Sequence, residues 1–370
     1  MKETPKTPSA FLSLLPLIVL VLMLVATVRA YGSDSLSGAS QVTLLVVSAF
    51  CVLIGMCFLK VPWKKFEEAI VFNITNVATA VIILLLIGAL SGAWMVSGVV
   101  PSLIYYGVQI IHPDVFLVSS CIISAMVSVM TGSSWTTIAT IGIALMGIGR
   151  AQGFDDGWIA GAIISGAYFG DKISPLSDTT VLASGSVNVP LFQHIRYMVI
   201  TTLPSIVIAS VVFFVVGLMF EGSDTGEIAA FSQALSGRFN ITPWLLAVPV
   251  LTGIMIAKRW PPIITLFLST LLAVVFALVF QSDVLGEIAD GDLFKGAMQS
   301  VYGSTSIPTD SQLLTDLVAT RGMAGMMGTI WLILCAMCFG GTMEAGGMVR
   351  GITQLFVRMI RGRTSLVSAT

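Results

Sequence analysis

Inside an otherwise apolar stretch lies a dense run of polar side chains: Ser165-Gly-Ala-Tyr-Phe-Gly170-Asp171-Lys172-Ile-Ser174-Pro175-Leu-Ser177-Asp178-Thr179-Thr180. Gly170 and Pro175 are expected to break a helix here, because proline has no N–H to donate and clashes with the preceding turn. A break leaves free carbonyl oxygens at the end of one half-helix and free amides at the start of the next. At membrane depth such backbone survives only where protein covers it or it lines a cavity. Two carboxylates, Asp171 and Asp178, flank the break, with Thr179, Thr180 and further hydroxyls beside them. Hard cations such as Na⁺ want several oxygens of this kind, by the logic of oxygen-ligand sites for Ca²⁺ and Mg²⁺. Burial raises the pKa of a carboxyl group and a bound cation lowers it, so proton and cation would compete for one site. The same residues also fit a plainer arrangement: a short loop between ordinary helices, with an Asp-Lys pair and Ser177 or Asp178 as a helix N-cap. Lys172 would either neutralise one aspartate or orient an anionic substrate.

A second cluster, Thr131-Gly132-Ser133-Ser134-Trp135-Thr136-Thr137, interrupts the apolar run 115–149. Half-length helices around such a turn suggest a re-entrant hairpin whose tip meets the broken helix, with Ser133, Ser134 and Thr136 near the ion. A polar helix-packing face is the alternative. A third set, Asn73, Thr75, Asn76 and Thr79, is spaced at helical intervals and suits packing or site lining equally. Glu344 is an isolated acid in a late apolar run.

The elements that hold these clusters must be membrane helices. The chain has 370 residues, of which 56% are hydrophobic and only 10% charged, with a mean hydropathy of +0.97. Soluble domains carry roughly 25% charged residues. The net charge of −1 leaves no basic stripe for nucleic acid. Runs of about 20 apolar residues can span a bilayer. Those that qualify, or nearly so, are 11–31, 42–59, 77–97, 115–130, 158–170, 197–220, 241–257, 262–281 and 325–345, with a short stretch at 98–112. The first is too long for a signal-peptide core and reads as a retained helix. The five cysteines lie in apolar runs, so Cys335 and Cys338 read as buried structural residues and not as a redox pair. His112 and His194 have no ligand-spaced partner, which disfavours zinc.

Lysine and arginine bias sets orientation. Lys2, Lys6, Lys60, Lys64, Lys65, Arg196, Lys258, Arg259 and the group Arg350, Arg358, Arg361 and Arg363 mark the cytoplasmic side. Glu221, Asp224, Glu227, Asp283, Glu287, Asp290 and Asp292 mark external loops; Arg29 and Arg238 depart from the rule. The segment 86–100 resembles 335–349, with Gly92 on Gly341 at a spacing of 249. Each copy follows an amphipathic piece, 66–70 and 294–298, after a longer linker in the second. Entry from opposite faces would make an inverted repeat, as in alternating-access transporters. At that spacing the second copy has no counterpart of 131–137 or 165–180 within the residues written here, so truncation is expected.

These two clusters resemble the NhaC-type Na⁺/H⁺ antiporter family. The residues that carry the resemblance are Thr131 to Thr137 with Ile141 to Gly149, the string Gly161 to Thr180, and Leu332 to Gly341. The resemblance runs from about residue 60 onward. It implies an ion-transporter architecture of two inverted repeats with paired re-entrant segments. It makes Asp171 and Asp178 the ion- and proton-binding candidates, with Ser133, Ser134, Thr136, Thr179 and Thr180 nearby. The family's later acidic-Gly-Thr and Pro-Trp-Asn segment does not occur in these residues. Other members exchange organic anions or carry amino acids, and Lys172 is shared among them.

The resulting expectation is an all-α polytopic membrane protein of roughly ten spans, with inverted structural repeats, broken helices and re-entrant hairpins, the second repeat incomplete. Its segments are N-terminal helices 1–59, a first transport repeat 60–196, linking helices 197–281 and the start of a second repeat 282–370. The expected activity is exchange of Na⁺ for H⁺ across the bacterial inner (cytoplasmic) membrane, with the N-terminus cytoplasmic and no cofactor. The alternative is an organic-anion or amino-acid antiporter, malate against lactate for example. Membrane lipid surrounds it, and a homodimer is open by analogy with similar scaffolds. An intramembrane aspartyl protease is disfavoured, because Tyr168 occupies the first glycine of a G-x-G-D pattern. A passive channel would not call for titratable carboxylates beside a helix break.

Overall fold

The computed structural model describes residues 8–175, 177, 179–180, 183–184, 189–219, 225–258, 260–309, 314–315 and 318–359. Asp178, Lys2, Lys6, Glu221, Asp224, Arg259, Arg361 and Arg363 lie outside the described residues, as do the side chains of Glu227 and Arg358. Among the described residues there is no strand, only one antiparallel bridge between Thr305 and Thr320. The chain is an all-α polytopic membrane protein. Seven described helices are long and apolar enough to cross a bilayer, or eight if the bent pair 232–238 and 243–257 is one span.

The chain divides into two compact units. The first takes residues 1–82 and 326–370. It holds α1 (Ala10–Tyr31), α2 (Ala39–Cys57), the beginning of α3 (Trp63–Val96), and two late helices, 327–345 and 348–359. The second takes residues 83–325. After the end of α3 it contains α4 (Val99–Ile110), α5 (Pro113–Thr131), α6 (Ser134–Thr137), α7 (Ile143–Ala151), α8 (Asp156–Ile173), α9 (Leu191–Met219), α10 (Thr225–Arg238), α11 (Ala247–Ala257), α12 (Pro262–Phe280), α13 (Ser282–Ile288) and α14 (Leu293–Tyr302). The late helices are α15 (Met327–Ala345) and α16 (Met348–Met359).

Local chemistry sets the boundaries around the polar clusters. Pro113 opens α5 after the extended His112, which wastes no hydrogen bond because the first helical N–H has no partner. Gly132 closes α5 in the left-handed region at φ 67°, where a Cβ would be strained. The chain then turns back through α6, a π-helical stretch 138–142 and α7. Gly149 returns close enough to α5 that a Cβ there would meet the ring of Phe116 at 2.7 Å. The result is a helical hairpin. Its arms, 113–131 and 134–151, are each about 27–28 Å long at 1.5 Å per residue, longer than the half-length helices expected from the sequence.

Against this hairpin lies α8, which packs on α5 more extensively than on any other element. Glycine makes the approach possible: a Cβ on Gly166 would collide with the carbonyl oxygen of Cys121, and one on Gly170 with that of Ala125. Small residues at helix interfaces are how helices associate in lipid, where apolar side chains gain nothing by leaving the solvent. At the far end of the hairpin, Arg150 forms a two-pronged ion pair with Asp156 at 2.6 Å for each bond. Arg238, which departs from the charge bias, is paired with Glu287.

The 249-residue spacing reappears in the backbone. Helix α3 ends at Val96 and α15 at Ala345; Gly98 and Gly347 both have positive φ, 79° and 68°; α4 begins at Val99 and α16 at Met348. Within the second unit Gly92 packs on the Ser300 carbonyl of α14, and within the first Gly341 packs on Ile70 of α3, where a Cβ would lie 2.8 Å from the Cα. Each glycine thus meets the amphipathic helix that precedes the other copy. The two parts of the first copy form one helix, whereas residues 303–326 separate those of the second.

Replacing Gly166 by alanine should lower the thermal unfolding midpoint in detergent, because overpacking a close interface costs about 1–3 kcal/mol. Gly161→Ala is the control: its Cβ would meet nothing nearer than Phe213 at 3.9 Å, and should leave the midpoint unchanged or raise it.

Candidate ion-binding site

The hairpin tip is held by its own hydroxyls. Ser133 caps α6: its Oγ accepts the Thr136 backbone N–H at 3.2 Å and the Thr136 hydroxyl at 3.1 Å. Thr131 Oγ1 accepts the Ser133 N–H at 3.1 Å, and Thr137 donates to the Ser133 carbonyl at 3.0 Å. Both lone pairs of Ser133 are therefore committed, while Thr136 spends its proton on Ser133 and accepts no bond at its hydroxyl among the described residues.

The helix does not break at Gly170. It runs through to Ile173, and the extended Ser174 with Pro175 ends it. Gly170 serves close packing instead: a Cβ would lie 2.7 Å from Ser128 Cβ. Beyond the end, Ser174 Oγ donates to the Val129 carbonyl at 2.8 Å, and Ser128 Oγ to the Ala167 carbonyl at 2.6 Å. Thr180 Oγ1 lies 3.3 Å and 3.2 Å from the carbonyls of Asp171 and Lys172. The Asp171 carbonyl also accepts the Ser174 N–H at 3.3 Å; last-turn carbonyls such as these have no partner four residues on within the helix.

Asp171 stands in the last turn of α8, half-buried, and its Oδ2 accepts the hydroxyl of the buried Ser134 at 3.1 Å. Carboxylate and hairpin tip open on one cavity of about 340 Å³, walled by Thr131, Gly132, Ser133, Trp135, Thr136, Asp171, Ser177 and Thr179. Ile83, Ile256, Trp260, Pro261, Pro262 and Thr265 complete the wall. Among the described lining residues Asp171 is the one ionisable side chain, and none of them is a lysine or arginine. The C-terminal end of α8 adds the negative pole of its dipole beside the carboxylate. A group of hydroxyls around one carboxylate suits a hard cation or a proton. Among the described residues no cluster of three His, Cys, Asp or Glu could hold a metal.

Of the residues singled out in the sequence, Asp171, Ser133, Thr136 and Thr179 share this cavity. Ser134 stands behind Asp171, and Thr180 turns to the helix end. Lys172 lines a different groove, with Ser165, Tyr168, Phe169 and the α9 residues Thr202, Ser205, Ile206 and Ala209. Asp178 lies outside the described residues, as does its place relative to the cavity. Asn73, Thr75, Asn76 and Thr79 are not among the lining residues, and Glu344 is an exposed residue at the end of α15. The wall formed by the 256–265 region was missed. Its sequence, Ile256 to Thr265, carries one modest signal, the Trp260-Pro261-Pro262 turn between two apolar helices.

The model of the Na⁺/H⁺ antiporter family matches residues 166–370, more than half of the chain and including the α8 end. The chain belongs to the Na⁺/H⁺ antiporter family. It is 37% identical over 329 residues to the malate-2H(+)/Na(+)-lactate antiporter of Bacillus subtilis, covering 88% of this chain and 68% of that relative. It is also 37% identical to the Na(+)/H(+) antiporter NhaC of Alkalihalophilus pseudofirmus, covering 86% and 68%. The arginine/ornithine antiporter ArcD of Halobacterium salinarum is 32% identical over 99% of this chain and 74% of its own. The NhaC-type resemblance read from residues 131–137, 141–149, 161–180 and 332–341 is thereby borne out.

Ser134→Ala removes the one side-chain donor to Asp171 among the described residues, a hydrogen bond to a charged group that contributes about 1.5–3 kcal/mol. The apparent KM for Na⁺ should rise about tenfold, with maximal rate changed less, in ion-driven proton flux from membrane vesicles. Ser133→Ala should instead appear mainly as lost stability of about 1 kcal/mol, since it removes a helix cap.

Proposed function

We propose that this protein exchanges Na⁺ for H⁺ across a bacterial cytoplasmic membrane, using the proton gradient to move Na⁺ outward. The observation that carries this reading is the carboxylate of Asp171, the one ionisable group among the described residues of a hydroxyl-lined cavity, oriented by Ser134. With Asp171 deprotonated, the cavity presents a negative charge and neutral oxygens to a cation. With Asp171 protonated, the charge is gone and the cation site is lost. Because the two states exclude each other, returning the carboxylate to the other side loaded with one species or the other couples the two fluxes. The relatives named as Na(+)/H(+) antiporters support the same exchange. Lysine bias supports a multi-pass arrangement with the N-terminus in the cytoplasm. The coincident helix ends at a spacing of 249 support reading residues 60–196 and those from 282 onward as related copies, and the lysines before the first with the acidic loop before the second support entry from opposite faces.

Exchange of an organic anion is the second reading. It is favoured by a cavity of about 340 Å³, room for several water-sized groups at about 30 Å³ each, and by the relative named for malate and lactate. Against it stands the absence of any cationic side chain among the described lining residues, with Lys172 in the groove against α9.

The deciding measurement is proton movement in everted vesicles on adding Na⁺, with K⁺, malate and lactate as comparison solutes. Na⁺ alone should dissipate the gradient, and Asp171→Asn should abolish the response while the protein remains in the membrane. Lys172→Gln should leave the Na⁺ response within about twofold of wild type. Wild-type exchange in Asp171→Asn would remove the site, and a response only with an organic anion would move the function to the second reading.

A further inference from the structure

Thr265 is fully buried, in the first turns of α12, and it belongs to the cavity wall. Its hydroxyl oxygen has no hydrogen-bond partner among the described residues. A buried hydroxyl without a partner costs roughly 1–3 kcal/mol, so the vacancy calls for a reason. A ready partner exists: a helical threonine ordinarily donates to the carbonyl four residues back. Thr252 and Thr270 do so, to Val248 and Leu266, each at 2.8 Å. Pro261 O holds that position for Thr265 and already accepts its backbone N–H at 3.0 Å, yet the Thr265 hydroxyl does not bond to it.

One turn along the same helix the accounting is complete. Trp94 Nε1 donates to Ser269 Oγ at 3.0 Å, Ser269 shares a 2.6 Å bond with Thr252, and Thr252 donates to Val248 O. Polar residues on α12 are therefore satisfied where they only hold helices together. The exception is the residue that borders the cavity of Asp171, with its hydroxyl buried in the wall.

We infer that Thr265 supplies an oxygen ligand to the cation bound at Asp171, from the wall opposite in sequence to the hairpin and α8. This rests on the cation-exchange reading above. The charge balance favours a cation over an anion at this hydroxyl. Among the described lining residues the ionisable group is a carboxylate, and two of the usual free amides at the α12 start are missing, because Pro261 and Pro262 have no N–H and only those of Ile263 and Ile264 remain. Thr136 and Thr265 would then bind from two wall segments with lone pairs not spent on protein, so ion binding would draw α12 toward the hairpin tip.

The test is Thr265→Val, nearly isosteric without the hydroxyl, with Thr265→Ser as rescue, in everted vesicles and in thermal unfolding of the purified full chain. The KM for Na⁺ should rise about tenfold in Thr265→Val and return to within about twofold of wild type in Thr265→Ser. The unfolding midpoint without Na⁺ should hold or rise in Thr265→Val, since an unsatisfied buried group is removed, and the stabilisation of the wild type by added Na⁺ should shrink. An unchanged KM overturns the inference while leaving the Asp171 site standing. A fall in the midpoint with unchanged KM assigns Thr265 to structure. A change confined to malate or lactate dependence makes it an anion contact and overturns it. Loss of any Na⁺ response in the wild type removes the underlying exchange reading and this inference with it.

Discussion

Backbone-to-backbone approach between α5 and α8 is the constraint on which the site depends. Gly166 and Gly170 bring α8 within contact of the Cys121 and Ala125 carbonyls, and Ser128 and Ser174 stitch the same seam with bonds of 2.6 Å and 2.8 Å. In lipid there is no hydrophobic gain from pairing helices, so small residues and hydroxyl bonds must hold them. The seam ends where α5 turns over at Gly132 and α8 stops at Ile173. Both terminations fall at one level, and that places Ser134 within reach of Asp171.

Hydroxyls at the site divide into those that complete the backbone's hydrogen bonding and those left with capacity to spare. Thr180 serves the end of α8, Ser133 caps α6, and Ser269 and Thr252 tie α12 to Trp94 through a closed chain. Among the described residues, the Thr136 hydroxyl accepts no bond and Thr265 has no hydrogen-bond partner, and both line the cavity of Asp171. A site for a weakly held, exchanging ion needs such a division. The scaffold must be rigid without the ion, and the ligating oxygens must not be claimed by the protein.

Charge placement follows the same economy. The bidentate pair of Arg150 with Asp156 and the pair of Arg238 with Glu287 sit at helix ends, away from the cavity. Lys172 follows Asp171 in sequence but stands about 100° around the helix, since successive helical residues differ by that rotation. It faces the groove against α9. A lysine beside the carboxylate would compete with any cation drawn to it.

Much of this was legible in the residues alone. Apolar runs longer than a bilayer half-thickness with few charges admit only helices in lipid, so the all-α membrane architecture and nearly every span could be read directly. The clusters 131–137 and 165–180 stood out because polar side chains at membrane depth are expensive, and Gly92 with Gly341 pointed to a 249-residue spacing that helix ends share. Local signals were weaker where two roles use one residue. Gly170 read as a breaker, yet close packing on Ala125 keeps it inside α8 and leaves Pro175 to end the helix. The tertiary structure alone decided which neighbours share a cavity. That Lys172 turns away, that Ser133 is spent as a cap, and that Thr265 arrives from a helix some ninety residues distant depend on helix rotation and packing. Sequence spacing along one helix does not encode contacts between helices, because those are set by how the faces of separate segments close on one another.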